Sequence, residues 1–185
     1  MRIIIGITGA SGAIYGIRLL EVLRRQEIET HLIITDSAKK TISVETDYLI
    51  EQVEAIADFV YDNHDLGAPL ASGSFPTDGM IIAPCSIKTV SALAHSYNDN
   101  LLVRAADVTL KEKRKIVVVP RETPLHLGHL RLLAALAELG AVIVPPVPAF
   151  YHLPKSIDDL INHTVGKILD QFGIKHQLFR RWNGI

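Results

Sequence analysis

The sequence predicts a three-layer, doubly wound α/β domain, Rossmann-like, with a six-stranded parallel sheet over residues 1–185. Three observations carry this. Short apolar runs alternate with stretches of helical periodicity from end to end. Apolar residues make up 48% of the chain, as a sheet covered on both faces requires. Unusual polar and charged residues gather just after the strands, where open parallel sheets bind their ligands. The length suffices for one domain with a full core. No linker, composition shift, low-complexity segment or internal repeat divides it.

The elements follow in order. Ile3 to Ile7 reads as a buried strand. A Gly-rich turn leads into a helical pattern carried by Ile14, Ile17, Leu19, Leu20, Val22 and Leu23. His31 to Thr35 is the second strand, entering a helix near Asp36-Ser37. Asp58 to Tyr61 is a short third strand. Met80 to Ala83 is the fourth, stopped by Pro84. Ser86 to Ala94 and Leu101 to Lys111 read as helices. Ile116 to Val119 is the fifth strand, closed by Pro120. Leu125 to Leu139 is an amphipathic helix ending at Gly140. Ala141 to Val144 is the sixth strand. The prolines at 145, 146 and 148 force an extended loop. Ile157 to Phe172 closes the chain as a helix. Strand–helix alternation of this kind makes parallel strands joined by right-handed crossovers.

Charge and composition exclude several classes. The formal net charge is -1, so neither nucleic acid nor a membrane surface is an expected partner. Cys85 is the one cysteine, which rules out an internal disulfide. The run after Met1-Arg2 is too short for a signal peptide or a span. A soluble, cytoplasmic protein is the expectation.

The first loop reads Gly6-Ile7-Thr8-Gly9-Ala10-Ser11-Gly12-Ala13. Small residues let backbone approach a ligand, and the helix that follows aims its amides and positive dipole end at the loop. A phosphate suits such a place; a tight strand-to-helix turn without ligand is the other reading. The glycine spacing is neither the dinucleotide fingerprint nor a P-loop. Ser11 either supplies a hydroxyl to the bound group or caps the helix. Asp36-Ser37 either binds a ribose hydroxyl or caps its helix, and the cap is favoured.

After the fourth strand comes Pro84-Cys85-Ser86-Ile87-Lys88-Thr89. Ser86 can cap the next helix while that helix presents amides to an anion. Lys88 opposes the helix dipole, which a nearby phosphate explains; a solvated lysine also would. Cys85 reads as a small buried residue rather than a nucleophile, since no base adjoins it. After the fifth strand, Arg121 and Glu122 stand between Pro120 and Pro124. Such a pair can hold a phosphate and exchange a proton with it, or form a surface ion pair. Phe150 and Tyr151, after the sixth strand, form an apolar wall with a hydroxyl handle, or ordinary loop packing. His126 and His129 share a helix face, but no third ligand suggests a metal site. Asp158-Asp159 opens a helix and lacks the closing aspartate of a diphosphate-Mg²⁺ motif; it reads as structural.

Taken together, these stretches resemble the flavin prenyltransferase family, the UbiX-type proteins, some of which carry an older label as aromatic acid decarboxylases. The resemblance also rests on Ser72-Gly73-Ser74-Phe75, Arg104 to Glu112 and Pro145 to Tyr151, and runs on to Arg181-Trp182. It implies a homo-oligomer, usually a dodecamer, with active sites between subunits. It implies transfer of a dimethylallyl group from dimethylallyl monophosphate to N5 and C6 of reduced FMN, without metal. The prenylated FMN then serves a UbiD-type decarboxylase. By resemblance, Gly9, Ala10, Ser11, Ser37, Ser86, Ile87, Lys88, Thr89 and Arg121 hold the flavin nucleotide. Tyr151, Lys167, Lys111 and Arg121 hold the dimethylallyl phosphate, with Arg104 and Glu45 nearby. Glu122 handles the proton of the departing phosphate, and Ser11 assists proton removal from C6. Lys167 stands where many relatives have arginine, keeping the charge and losing the bidentate fork. The alternatives are a flavin-dependent cysteine decarboxylase, a decarboxylase acting directly on aromatic acids, and a non-catalytic flavin carrier. Cys85-Ser86-Ile87-Lys88 disfavours the first, since it lacks that family's asparagine motif.

Overall fold

The computed structural model describes residues 1–184. Its strands are β1 (Arg2–Ile7), β2 (Glu29–Ile34), β3 (Phe59–Tyr61), β4 (Gly79–Cys85), β5 (Lys115–Pro120) and β6 (Val142–Ile143). All pair in parallel, in the order β3-β2-β1-β4-β5-β6. The expected doubly wound sheet is therefore present.

Strand residues alternate between two cores, as the pleat demands. Ile3, Ile5 and Ile7 of β1 face α1 (Ala13–Arg25) and α7 (Ile157–Gln171), packing with Ile17, Leu20, Val165 and Ile168. The short helices α2 (Asp36–Glu45) and α3 (Ile50–Glu54) lie on this side through Ile42 and Val53. Ile4, Met80, Ile82 and Val118 face the other layer, built by α4 (Ile87–Ala94), α5 (Leu101–Lys111) and α6 (Leu127–Glu138). Burial on both faces is why the strands read as unbroken apolar runs rather than alternating ones.

Several boundaries differ from expectation, each for a physical reason. Pro84 does not stop β4, which continues to Cys85 through a register shift against β5. The Pro84 carbonyl stays in use, accepting from the Thr8 amide at 3.2 Å and the Thr8 hydroxyl at 2.9 Å. Helix α6 starts at Leu127, not Leu125, because the His126 ring caps it by accepting from the Gly128 amide at 3.0 Å. Helix α3 and the 3-10 turn at Pro69–Ala71 are additional to the expected elements.

The last helix opens on a capping box. Ser156 accepts from the Asp159 amide while Asp159 accepts from the Ser156 amide. Asp158 pairs with Arg18 at 2.9 Å, tying α7 to α1. The structural reading of Asp158-Asp159 holds. No helix among the described residues is long and apolar enough to cross a membrane.

Candidate active site

Strand order reverses between β1 and β4, a switch point of the kind that forms a crevice outside the carboxyl ends of the strands. Its two walls are the loops that the sequence singled out. Thr8 stitches them together, because its hydroxyl also accepts from the Ser86 amide at 2.7 Å. Behind this seam, Gly16 lets α1 lie directly on β4: a Cβ there would sit 2.4 Å from the Ala83 carbonyl oxygen. Gly9 likewise meets Ser37 at the start of α2, where a Cβ would lie 2.3 Å from the Ser37 hydroxyl.

The start of α1 settles one open reading, that of the helix cap. Gly12, not Ser11, occupies the cap position, with φ 98 and no side-chain cap of its own. The carboxylate of Glu45 reaches over from α2 instead, accepting from the Gly12 amide at 2.7 Å and the Ala13 amide at 3.4 Å. Glu45 thus sits on the first loop of its own chain. The first-turn amides it occupies are no longer open to an anion.

Other donors remain open. Among the described residues, the amides of Gly9 and Ser11 have no hydrogen-bond partner in the chain. Helix α4 is capped by Ser86, which accepts from the Thr89 amide at 3.3 Å, so the amides of Ile87 and Lys88 face outward. At the next strand, α2 is capped by Thr35 rather than Asp36 or Ser37. Asp36 turns to His64 at 3.0 Å, which leaves the Ser37 side chain beside Gly9.

The loop after β5 brings Arg121 and Glu122 to the same edge. The Arg121 amide donates to the Cys85 carbonyl at 3.1 Å, which locks this loop to the crevice. The two side chains do not pair with each other. Among the described residues, neither Arg121 nor Lys88 has a carboxylate partner, so both cations are available. The Glu122 carboxylate accepts only from the neighbouring Thr123 amide, at 3.1 Å. Open amides, hydroxyls and unpaired cations around a small-residue loop suit the phosphate of a nucleotide. Cys85 is fully buried and burial pushes its thiol pKa far up, so it is no nucleophile.

Tyr151 and Lys167 lie on the α7 side of the sheet. The Tyr151 hydroxyl meets His163 Nε2 at 2.9 Å. Lys167, one turn further along α7, is 3.8 Å from Asp170. The chain's end folds back over this region: Arg181 grips Asp170 at 2.6 Å, and Trp182 meets the Tyr151 ring edge-on at 6.0 Å. The Arg181 guanidinium, joined by His176, holds the Asp170 carboxyl below the usual carboxylate range. A depressed carboxyl pKa gives docking that is complete above the ordinary value and lost as pH falls through the depressed one. Fluorescence of Trp182, the only tryptophan, is therefore expected to hold steady from pH 7 down to about 4 and to change only below it. A change centred near pH 6 would instead assign the tail's grip to histidines.

Arg104 and Lys111 stand apart from Tyr151 and Lys167 within one chain. Both belong to α5, on the opposite face of the sheet from α7. Arg104 donates to the Ala71 carbonyl at 3.1 Å and pairs with Asp107 at 3.2 Å. Lys111 ends its helix beside Gly73 and pairs with Glu112. Within one chain, then, the crevice gathers Gly9, Ala10, Ser11, Ser37, Glu45, the segment 86–89, Arg121 and Glu122. Tyr151 and Lys167 stand on the α7 side, and Arg104 and Lys111 lie across the sheet.

Sequence reading missed His163 and the clamp of Asp170, His176 and Arg181. The spacing of His163 and Lys167 along one helix face was the available signal. Tyr151 and Arg181, which His163 and Asp170 meet, lie 12 and 11 residues away, too far for a local pattern to show.

The flavoprotein family model matches residues 1–169. The chain is 61% identical over 184 residues to the flavin prenyltransferase UbiX of Thauera aromatica, covering 100% of this chain and 95% of that protein. Among solved structures, a dodecameric FMN-dependent UbiX-like decarboxylase from Escherichia coli O157:H7 superimposes with a TM-score of 0.98 at 50% identity, covering 100% of both chains. AnUbiX (PadA1), solved in complex with FMN and dimethylallyl pyrophosphate, also gives 0.98 at 50% identity, over 100% of this chain and 98% of that one. With the switch-point crevice and its open donors in place, this likeness over the full length settles the family: the chain is a member of the UbiX-type flavin prenyltransferases.

Proposed function

We propose that this chain transfers a dimethylallyl group from dimethylallyl monophosphate to N5 and C6 of reduced FMN. The observation that carries this reading is the full-length likeness to proteins of that activity, one of them holding FMN and a dimethylallyl donor in its structure. These relatives lend no support to the cysteine-decarboxylase alternative.

The residues divide the work by position. Gly9 and Ser11 offer amides, and Ser37, Ser86 and Thr89 offer hydroxyls, to the flavin nucleotide. Ala10 keeps that wall small, and Ile87, Lys88 and Arg121 complete it. Tyr151 and Lys167 grip the donor phosphate. Arg104 and Lys111 join them from neighbouring subunits, since they lie across the sheet in their own chain. Bound reduced FMN supplies the nucleophilic N5 and C6. As the allylic C–O bond breaks, Lys111, Lys167 and Arg121 stabilise the charge growing on the leaving phosphate, and Glu122 gives it a proton. Closing the ring at C6 consumes the prenyl C=C bond, whose inner carbon takes up a proton as C6 loses one, and Ser11, on the flavin loop, assists that loss. Cations and an acid suffice for this leaving group, so no metal is required.

A homo-oligomer, a dodecamer as in the Escherichia coli relative, is part of the same reading. The apolar helix α6 supports it: Leu127, Leu130 and Leu139 are each at least half exposed. The product passes to a UbiD-type decarboxylase in the cytoplasm.

Purified protein given reduced FMN and dimethylallyl monophosphate is expected to yield flavin heavier by one prenyl unit by mass spectrometry. Unmodified flavin from folded protein with both substrates bound sinks the reading.

A further inference from the structure

His163 is a titratable side chain that the proposed chemistry does not use. It is 8% exposed, on the inner side of α7. Its Nε2 is 2.9 Å from the Tyr151 hydroxyl. The His152 ring stacks on it at 4.9 Å and 7°, and Phe179 packs at 4.6 Å. Both ring nitrogens of His152 are buried without a partner, so His152 does not compete for the hydroxyl. The imidazole is held in place from two sides and touches one polar group.

A phosphate monoester dianion has only acceptor oxygens. For Tyr151 to bind one, its phenolic proton must point at the phosphate. The oxygen must then accept its second hydrogen bond from elsewhere. We infer that His163 is a positioning residue for prenyl transfer: with its proton on Nε2 it donates to the Tyr151 oxygen and turns the phenolic O–H toward the donor phosphate. This rests on the reading of Tyr151 as a phosphate ligand. A donor behind the hydroxyl also polarises it and strengthens the bond it gives.

The surroundings keep the ring able to choose its tautomer. Burial, together with the charges of His152 and Lys167, holds the His163 pKa below its ordinary value, while Asp170 works against them. From the tail, Arg181 is the further charge facing this cluster. A neutral imidazole carries one mobile proton, placed by whichever ring nitrogen has the better partner. Phosphate on Tyr151 makes Nε2 the protonated one.

The test uses dimethylallyl monophosphate with protein loaded with oxidised FMN for binding and with reduced FMN for turnover. Calorimetry and steady-state kinetics are run on the parent protein, His163→Leu, His163→Gln, Tyr151→Phe and the Leu/Phe double variant. His163→Leu is expected to weaken donor binding and raise KM about tenfold while kcat and FMN affinity stay within about twofold. His163→Gln keeps an N–H donor and is expected to restore KM. The double variant should be no worse than Tyr151→Phe alone, because one interaction is removed once. In ¹⁵N-histidine spectra, His163 Nε2 is expected to become protonated as the donor binds. Unchanged KM in His163→Leu, additive losses, or an unprotonated Nε2 in the donor complex overturns the inference. If His163→Leu does not fold, the Gln variant and the spectra decide. A parent protein that neither binds nor turns over the donor overturns the underlying functional reading, which is a separate and visible outcome.

Discussion

Glu122→Gln binds FMN as tightly as the parent and prenylates it about 10³-fold more slowly. The prediction follows from how little else Glu122 does. Its carboxylate accepts one hydrogen bond, from the adjacent Thr123 amide, and it pairs with no cation among the described residues. A glutamine oxygen can accept that same bond. The fold and the flavin loop therefore lose nothing, and a rate loss reports proton transfer alone. Stopped-flow single turnovers with reduced FMN measure the rate, and flavin fluorescence measures binding. Equal turnover refutes the role. The same variant tests how the site is shared. Lys111 lies across the sheet from α7, and on the proposed reading the lysine at a given site is supplied by another subunit. Co-assembling Glu122→Gln with Lys111→Ala chains should then restore part of the activity, since some sites receive both intact residues. No recovery in verified mixed oligomers would place both groups in one chain.

Gly16→Val is the second large effect. It is expected to cost about 3 kcal/mol of stability and lower the melting midpoint by roughly 10 °C. A first side-chain carbon at this position already lies 2.4 Å from the Ala83 carbonyl oxygen and 2.8 Å from the Ile7 side chain. Neither neighbour can yield: one is backbone of β4, the other is fully buried. Helix α1 must lift, and the first loop with it. FMN affinity should fall together with stability, because the Thr8 bonds to Pro84 and Ser86 hold that loop against the crevice. Scanning calorimetry and flavin titration read the two effects. An unchanged midpoint would mean that α1 does not lie on β4 as described.

The fold was legible because its signals are local. Apolar runs such as Ile3 to Ile7 and Ile116 to Val119 mark strands buried on both faces, and a helix cap such as Ser86 announces itself by residue type. Boundaries failed where a distant group intervened. Pro84 reads as a stop, yet its carbonyl is taken up by Thr8, a partner on another strand end. Ser11 reads either as a ligand group or as the cap of α1, yet Glu45 meets the first amides of that helix from the next one. No pattern within a window of a few residues can show either.

The candidate site divides in the same way. The sequence alone determined the doubly wound sheet, the placement of Gly9 to Ser11, Ser86 to Thr89 and Arg121-Glu122 after strands, and the family likeness. These depend on periodicity and on residues a few positions apart. Tertiary structure alone decided which groups share a face. It put Tyr151, Lys167 and His163 on one side of the sheet and Arg104 and Lys111 on the other, so these groups do not meet within one chain. The reason is physical: each crossover sends its helix to one face or the other, and residues close in role but carried on opposite layers can meet only through another copy of the chain.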